Sequence, residues 1–156
     1  IDGFAFIMGK EPSEDQFEPG TWMLYQAGKR NSSSDYLLAT QWLQGMTRQI
    51  ARFAEGYDVI LTPTQAMPPL PLGQFKSTAE KPEAGMMMAA AFCPFTPLYN
   101  VTGQPAVSLP LHWNSEGLPV GTQFVGRFGD EATLFRLASQ LEEAAPWRDK
   151  RPIVTV

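Results

Sequence analysis

The chain has 156 residues, the size of a single domain, and 44% of them are hydrophobic. That proportion supports a packed core and argues against disorder, while the lack of any apolar run of about 18 residues argues against a membrane span. The net charge of −4 gives no electrostatic footprint for nucleic acid or an anionic membrane surface.

Cysteine and histidine each occur once, as Cys93 and His112. One cysteine excludes an intrachain disulfide, so we expect a reducing compartment and a cytoplasmic protein. A structural zinc needs about four ligands, usually Cys or His, so we expect no metal and no cofactor. The chain starts at Ile1 with neither an initiator Met nor a signal peptide, and we expect a segment of a longer protein.

Residues 1–56 are predicted to be helical. Ile1–Gly9 suggests a short helix, Ser13 and Gln16 fit a capping box, and a further start follows at Pro19. The clearest helix is predicted from about Asp35 to Glu55, where apolar residues recur at spacings of three and four and so share one face. These residues are Leu38, Trp42, Met46, Ile50 and Phe53.

Residues 57–83 are predicted to form one strand and a long connection. Val59 and Ile60 are at the centre of an apolar run, Tyr57–Leu61, and Pro63 is expected to end it because proline lacks the ladder donor. The proline-rich stretch that follows indicates a long loop.

Residues 84–128 are predicted to form a buried helix and a β-hairpin. Gly85–Phe92 is apolar on every side, which indicates burial, and Thr96–Pro97 is typical of a helix start. Two strands, Ala106–Leu111 and Val120–Gly126, flank the turn residues Asn114–Gly117.

Residues 129–156 are predicted to form a C-terminal helix and tail. Asp130 is the expected N-cap, and the helix should stop before Pro146. Its inward residues are predicted to be Leu134, Leu137, Ala138 and Leu141. The elements together predict an α/β fold with a mixed β-sheet flanked by helices.

The usual catalytic fingerprints are missing. Neither a dinucleotide-binding G-x-G-x-x-G, nor a P-loop, nor a G-x-S-x-G elbow occurs. Adjacent carboxylates such as Glu142 and Glu143 fall in predicted helices, where capping and solvation explain them better than acid–base catalysis. Met86–Met88 could line an adaptable pocket, although a core helix is the simpler interpretation.

Several segments, in order along nearly the whole chain, resemble the C-terminal third of amidase signature family enzymes. The four main blocks are Tyr57–Thr64, Phe95–Asn100, Thr102–Pro110 and Gly117–Gly126, and weaker matches are Phe17–Pro19 with Thr21–Trp22, Asp35–Leu37, Asp130–Leu134 and Pro146–Arg148. The resemblance implies that residues 1–156 are the C-terminal portion of an amidase domain, a partial form of the amidase signature fold.

The resemblance also implies a carboxamide hydrolase with a Ser–cis-Ser–Lys triad, in which the lysine takes the proton through the bridging serine. In the family these residues lie in the front two thirds, with the serines in a Gly/Ser-rich loop. This chain contains no Gly-Gly and no Ser-Gly. We therefore assign no catalytic residue, and expect the chain alone to be inactive and its partner to be the missing N-terminal portion.

The family alignment further implies that Cys93 lies at the substrate-pocket wall, with Ala90, Thr96 and Pro97 as neighbours. Members that use glutamine for transamidation carry Asp at the Cys93 position, so the thiol speaks against that role. The resemblance favours a small, largely apolar or linear amide as substrate. The alternative is a non-catalytic interaction module that docks a partner chain through an apolar face; either role allows self-association.

Overall fold

A computed structural model describes residues 1–151, so residues 152–156 of the predicted tail lie outside the described part. The chain forms two compact units, one of residues 1–41 with 70–92 and the other of residues 42–69 with the chain from Cys93 onward. The elements in order are α1 (Asp2–Met8), a 3₁₀ turn (Glu14–Gln16), α2 (Pro19–Gly28), α3 (Ser33–Ala54), β1 (Ile60–Pro63), α4 (Ala84–Phe92), α5 (Thr96–Thr102), β2 (Ala106–Trp113), β3 (Pro119–Val125) and α6 (Glu131–Ala144).

The first unit is helical, and local hydrogen bonds hold two of its starts, the 3₁₀ turn and α3. The predicted capping box is present at Ser13, where Gln16 Oε1 accepts a bond from the Ser13 backbone N–H at 3.4 Å. Helix α3 begins at Ser33, two residues before the predicted start, and the Ser32 hydroxyl just before it accepts a bond from the Asp35 N–H at 3.1 Å. The Asp35 carboxylate accepts bonds from the Ser32 N–H at 2.9 Å and from its hydroxyl at 2.7 Å.

Two segments of the first unit approach closely at Gly85, the first buried residue of α4. Its backbone N–H donates to Ser77 Oγ at 3.2 Å. A Cβ atom at this position would lie 2.4 Å from the Phe75 carbonyl oxygen, so only glycine fits without a backbone shift.

The prediction that Gly85–Phe92 is buried is wrong for this chain. Apart from Gly85, α4 is half-buried or exposed, and Met87 has an exposed fraction of 64%. An all-apolar composition predicts a helix that is covered on every side, but residues 1–151 do not supply the side chains that would cover α4. The predicted apolar face of α3 behaves similarly, since Leu38, Trp42 and Phe53 are exposed while Met46 and Ile50 are half-buried.

The second unit contains a three-stranded sheet in the order β1-β3-β2. The α/β class is confirmed, and so is the hairpin of β2 and β3, whose turn is held by Asn114 Oδ1 accepting bonds from the N–H groups of Glu116 and Leu118. Both strand pairings are antiparallel. The parallel pairing that a mixed sheet contains is therefore not formed within residues 1–151.

Strand β1 differs from the prediction at both ends. It runs from Ile60 to Pro63 rather than from Tyr57 to Leu61, and Pro63 is its last residue and pairs with Thr122. Proline is tolerated here because β1 is an edge strand, where a missing N–H costs no ladder bond on the outer side.

One face of the sheet carries the core of the second unit. Leu109, Phe124 and Leu134 are buried together, and the predicted inward residues of α6 pack against them. Asp130 is the N-cap of α6 and accepts a bond from the Thr133 N–H at 3.3 Å, as predicted. In the part of the chain that the structure covers, no helix is both long and apolar enough to cross a bilayer.

Candidate functional site

Cys93 lies in the short turn between α4 and α5 and is half-buried. Its thiol donates a hydrogen bond to Gln65 Oε1 at an Sγ–Oε1 distance of 2.8 Å. Gln65 is also half-buried and lies 28 residues earlier in the chain, just after β1. The turn therefore meets the end of the sheet through one thiol and one amide.

Thr96 and Pro97 open helix α5, three and four residues after Cys93. Thr96 is half-buried, whereas Pro97 is exposed and occupies the first turn, where its missing N–H leaves no helical bond unmade. The helix is anchored by its other end: Tyr99 and Thr102 are buried, and burial raises the pKa of the Tyr99 hydroxyl. Gly103, with a φ of 71°, ends it in the left-handed conformation.

Gln65 directly follows Thr64, which is hydrogen-bonded to the sheet. The Thr64 backbone N–H donates to the Gly121 carbonyl at 3.0 Å, and its hydroxyl is 2.6 Å from the Ser108 hydroxyl. These two hydroxyls meet directly above Gly121, where a Cβ atom would lie 2.7 Å from each oxygen. The glycine therefore leaves the room in which Thr64 and Ser108 bond.

The same face of the sheet continues as a polar row. Gln123 is buried, with an exposed fraction of 4%, and its Nε2 donates to Thr62 Oγ1 at 3.0 Å. Thr62, Gln123 and Ser108 are register partners across the three strands. The face opposite the apolar core thus presents amides and hydroxyls that already satisfy one another in part.

Three of the four residues predicted for the pocket wall, Cys93, Thr96 and Pro97, lie close along the chain in the second unit. Ala90 belongs to the first unit, where it is exposed on α4. Sequence reasoning missed Gln65. Its place directly after the block Tyr57–Thr64 indicates a position in a loop that follows a strand, but it does not reveal the contact with Cys93.

The site carries no formal charge, because its side chains are a thiol, an amide, hydroxyls and a proline ring. Within residues 1–151, no three His, Cys, Asp or Glu side chains come together as metal ligands would. Two sizeable surface pockets lie elsewhere, one beside the start of α3 and one between Trp113 and Trp147. Within residues 1–151, the side chains described around Cys93 include no base that could activate a nucleophile.

Comparison with known proteins identifies the family. The Amidase family model matches residues 6–135, most of the chain. The chain belongs to the amidase family. The resemblance found in the sequence blocks is thereby confirmed.

Relatives of this amidase-family chain are much longer than it is. A putative amidase AmiC of Mycobacterium leprae (strain TN) is 45% identical over 67% of this chain and 22% of its own length. A 6-aminohexanoate-cyclic-dimer hydrolase of Paenarthrobacter ureafaciens is 30% identical over 94% of this chain and 31% of its own length. The solved structure of a 6-aminohexanoate cyclic dimer hydrolase matches with a TM-score of 0.90 and 26% identity, covering 98% of this chain and 33% of that one. The chain spans about a third or less of these relatives.

Proposed function

We propose that this chain is the C-terminal portion of a carboxamide hydrolase, in which it forms scaffold and one wall of the substrate pocket. The single observation that carries the proposal is the structural match over 98% of this chain to one third of a longer amide hydrolase. The family's Ser–cis-Ser–Lys groups would then be supplied by the preceding portion, because this chain has no Gly/Ser-rich loop.

The proposed mechanism divides the work between the two portions. The missing portion supplies the nucleophile, the proton acceptor and the oxyanion donors, and this chain limits what the acyl group of the substrate can be. An uncharged wall of Cys93, Thr96 and Pro97 suits an apolar acyl chain and offers no partner for an ammonium group. Two of the relatives are named for the cyclic dimer of 6-aminohexanoate. This compound consists of apolar methylene chains joined by amide bonds, as expected of a substrate for an uncharged wall.

The test compares the chain with the complete enzyme that its upstream coding sequence would encode. The chain alone should hydrolyse no aryl or alkyl amide, whereas the complete enzyme should show the acceleration of about 10⁶-fold or more that enzymes provide. A serine-directed probe should label the complete enzyme stoichiometrically. Stoichiometric labelling of any serine in the chain alone would contradict the assignment of the catalytic groups to the other portion.

The Cys93 assignment has its own test in the complete enzyme. Cys93→Asp should reduce kcat/KM for apolar amides by about 10-fold or more, since a carboxylate in a water-poor pocket costs several kcal/mol unless it is paired or protonated. Cys93→Ala removes only one sulfur atom and should be mild. If Cys93→Asp keeps the parent's substrate profile at unchanged stability, the residue does not face the substrate.

A second candidate function, an interaction module, is favoured by one observation. Helix α1 exposes four large apolar side chains, Phe4, Phe6, Ile7 and Met8, each at least 64% exposed. Such a surface is uncommon on monomers, so the chain alone should self-associate or bind a hydrophobic dye. Light scattering of the chain and of its Phe6→Ser variant measures whether the exposed apolar side chains of α1 cause self-association. A monomeric chain without dye binding at high concentration would count against both a docked partner chain and the missing-portion proposal.

A further inference from the structure

The hydrogen bond between Cys93 and Gln65 selects one position for the thiol. A cysteine side chain has up to three staggered rotamers, and a hydrogen-bond partner for the sulfur favours the one that reaches it. Here the Sγ atom is 2.8 Å from Gln65 Oε1, which accepts the thiol proton. Within residues 1–151, neither the Cys93 side chain nor the Gln65 side chain makes another hydrogen bond.

Gln65 can hold the thiol because the residue before it is hydrogen-bonded to the sheet. Thr64, the preceding residue, is bonded to the Gly121 carbonyl at 3.0 Å and to the Ser108 hydroxyl at 2.6 Å. A path of direct contacts therefore runs from the sheet through Thr64 and Gln65 to Cys93. All five residues belong to the second unit.

We infer that Gln65 is the positioning residue for the Cys93 thiol and, through it, a specificity-determining residue for the amide substrate. The inference rests on the proposed function, which places Cys93 at the pocket wall. Without Gln65 the sulfur would redistribute among rotamers, and the wall would lose its defined shape. Gln65 acts through Cys93, so its effect on substrate choice should disappear when the sulfur is absent.

A purely structural role for the same bond makes a different prediction. If the bond only tied the loop after β1 to the turn before α5, its loss would lower stability and would affect all substrates alike. A positioning role changes the ratio of kcat/KM between a long and a short acyl chain. This ratio separates the two roles.

The first experiment is a double-mutant cycle in the complete enzyme, with linear amides of increasing acyl length. Gln65→Met retains the length of the side chain and removes the amide, and Cys93→Ala removes the sulfur. We expect Gln65→Met to change the long-to-short ratio by about threefold or more, and this change to vanish in the Cys93→Ala background. Gln140→Met, at an exposed position on α6, is the matched control and should leave the ratio unchanged. An equal change in both backgrounds, or none in the parent, would overturn the inference.

The second experiment does not depend on activity. The alkylation rate of Cys93 by iodoacetamide is followed at fixed pH on the peptide that carries it, by mass spectrometry. Gln65→Met should change this rate several-fold, and Gln140→Met should not. If Gln65→Met folds poorly, Gln65→Asn, one methylene shorter, replaces it with the same expected outcome. An unchanged rate in the folded variants would show that Gln65 does not hold the thiol.

The two proposals fail in different ways. If Cys93→Asp and Cys93→Ala both leave the substrate profile unchanged, the pocket-wall function fails and the inference with it. If they change the profile but Gln65→Met shows no coupling to Cys93, the inference alone fails.

Discussion

The two units of the molecule treat their apolar residues differently. All the buried hydrophobic residues of the described chain, Ala54, Tyr99, Leu109, Phe124, Val125 and Leu134, lie in the second unit. The first unit buries Gly85 at a close backbone contact and leaves Phe6 and Ile7 more than three quarters exposed. An apolar pattern therefore predicts a face that other elements should bury, but it does not say which elements bury it. Within residues 1–151, the sheet and α6 bury such faces, and the helices of the first unit do not.

The largest expected effect concerns the core of the second unit. Phe124→Ala should lower the free energy of unfolding by about 3–5 kcal/mol, because the ring is 5% exposed and its loss leaves a cavity against Leu109 and Leu134. Phe128→Ala, at a ring that is 74% exposed, is the matched control and should change it by about 0.5 kcal/mol or less. Urea denaturation measures both, and equal effects would contradict the placement of the core.

An intermediate effect is expected at the close contact of the first unit. Gly85→Ala should destabilise by about 1–3 kcal/mol, since the new Cβ would come within 2.4 Å of the Phe75 carbonyl oxygen. Gly28→Ala, where a Cβ would meet nothing within 4 Å, should be neutral or slightly stabilising. Thermal unfolding of the two variants compares them. A tolerated Gly85→Ala would show that the first unit has no fixed packing there.

The smallest effect concerns the start of α3, which local bonds rather than burial hold in place. Hydrogen bonds from Ser32 hold the pKa of the Asp35 carboxyl below its ordinary value. A carboxyl with a depressed folded pKa stabilises the fold above its unfolded pKa, and that contribution is lost as pH falls through the folded pKa. Ser32→Ala should therefore raise the Asp35 pKa, as followed by NMR titration. Ser34→Ala should leave it unchanged, and an equal shift in both would mean that the Ser32 bonds are not its cause.

The sequence predicted best where short-range chemistry decides the structure. The capping box at Ser13, the Asp130 cap and the hairpin around Asn114 depend on a few neighbouring residues, and all three are present. Strand β1 ends at Pro63, two residues later than predicted, because pairing of Pro63 depends on which strand lies beside it, and no local pattern reveals that neighbour. Gly85–Phe92 was predicted to be buried and is not, apart from Gly85, because burial depends on neighbouring elements that a local pattern does not define.

The residues of the candidate site also differ in how far the sequence predicts them. Cys93, Thr96 and Pro97 followed from a family alignment, and their pocket role remains a proposal. Gln65 could not be derived, since its contact joins residues 28 positions apart through a loop. The bonds that fix Thr64 also depend on strand register, which only the folded sheet defines.

The division of the chain has a consequence for how it folds during synthesis. Each unit is built from two separate stretches, and the boundaries follow residues 41, 69 and 92. During synthesis the first unit cannot close until α4 has left the ribosome. At that point β1 has emerged, but its pairing strand β3 has not. Both units are therefore open at once over this interval, and no single cleavage or truncation releases either of them whole. A nascent chain of this design exposes apolar surface for longer than two consecutive domains would, which increases its risk of aggregation during synthesis.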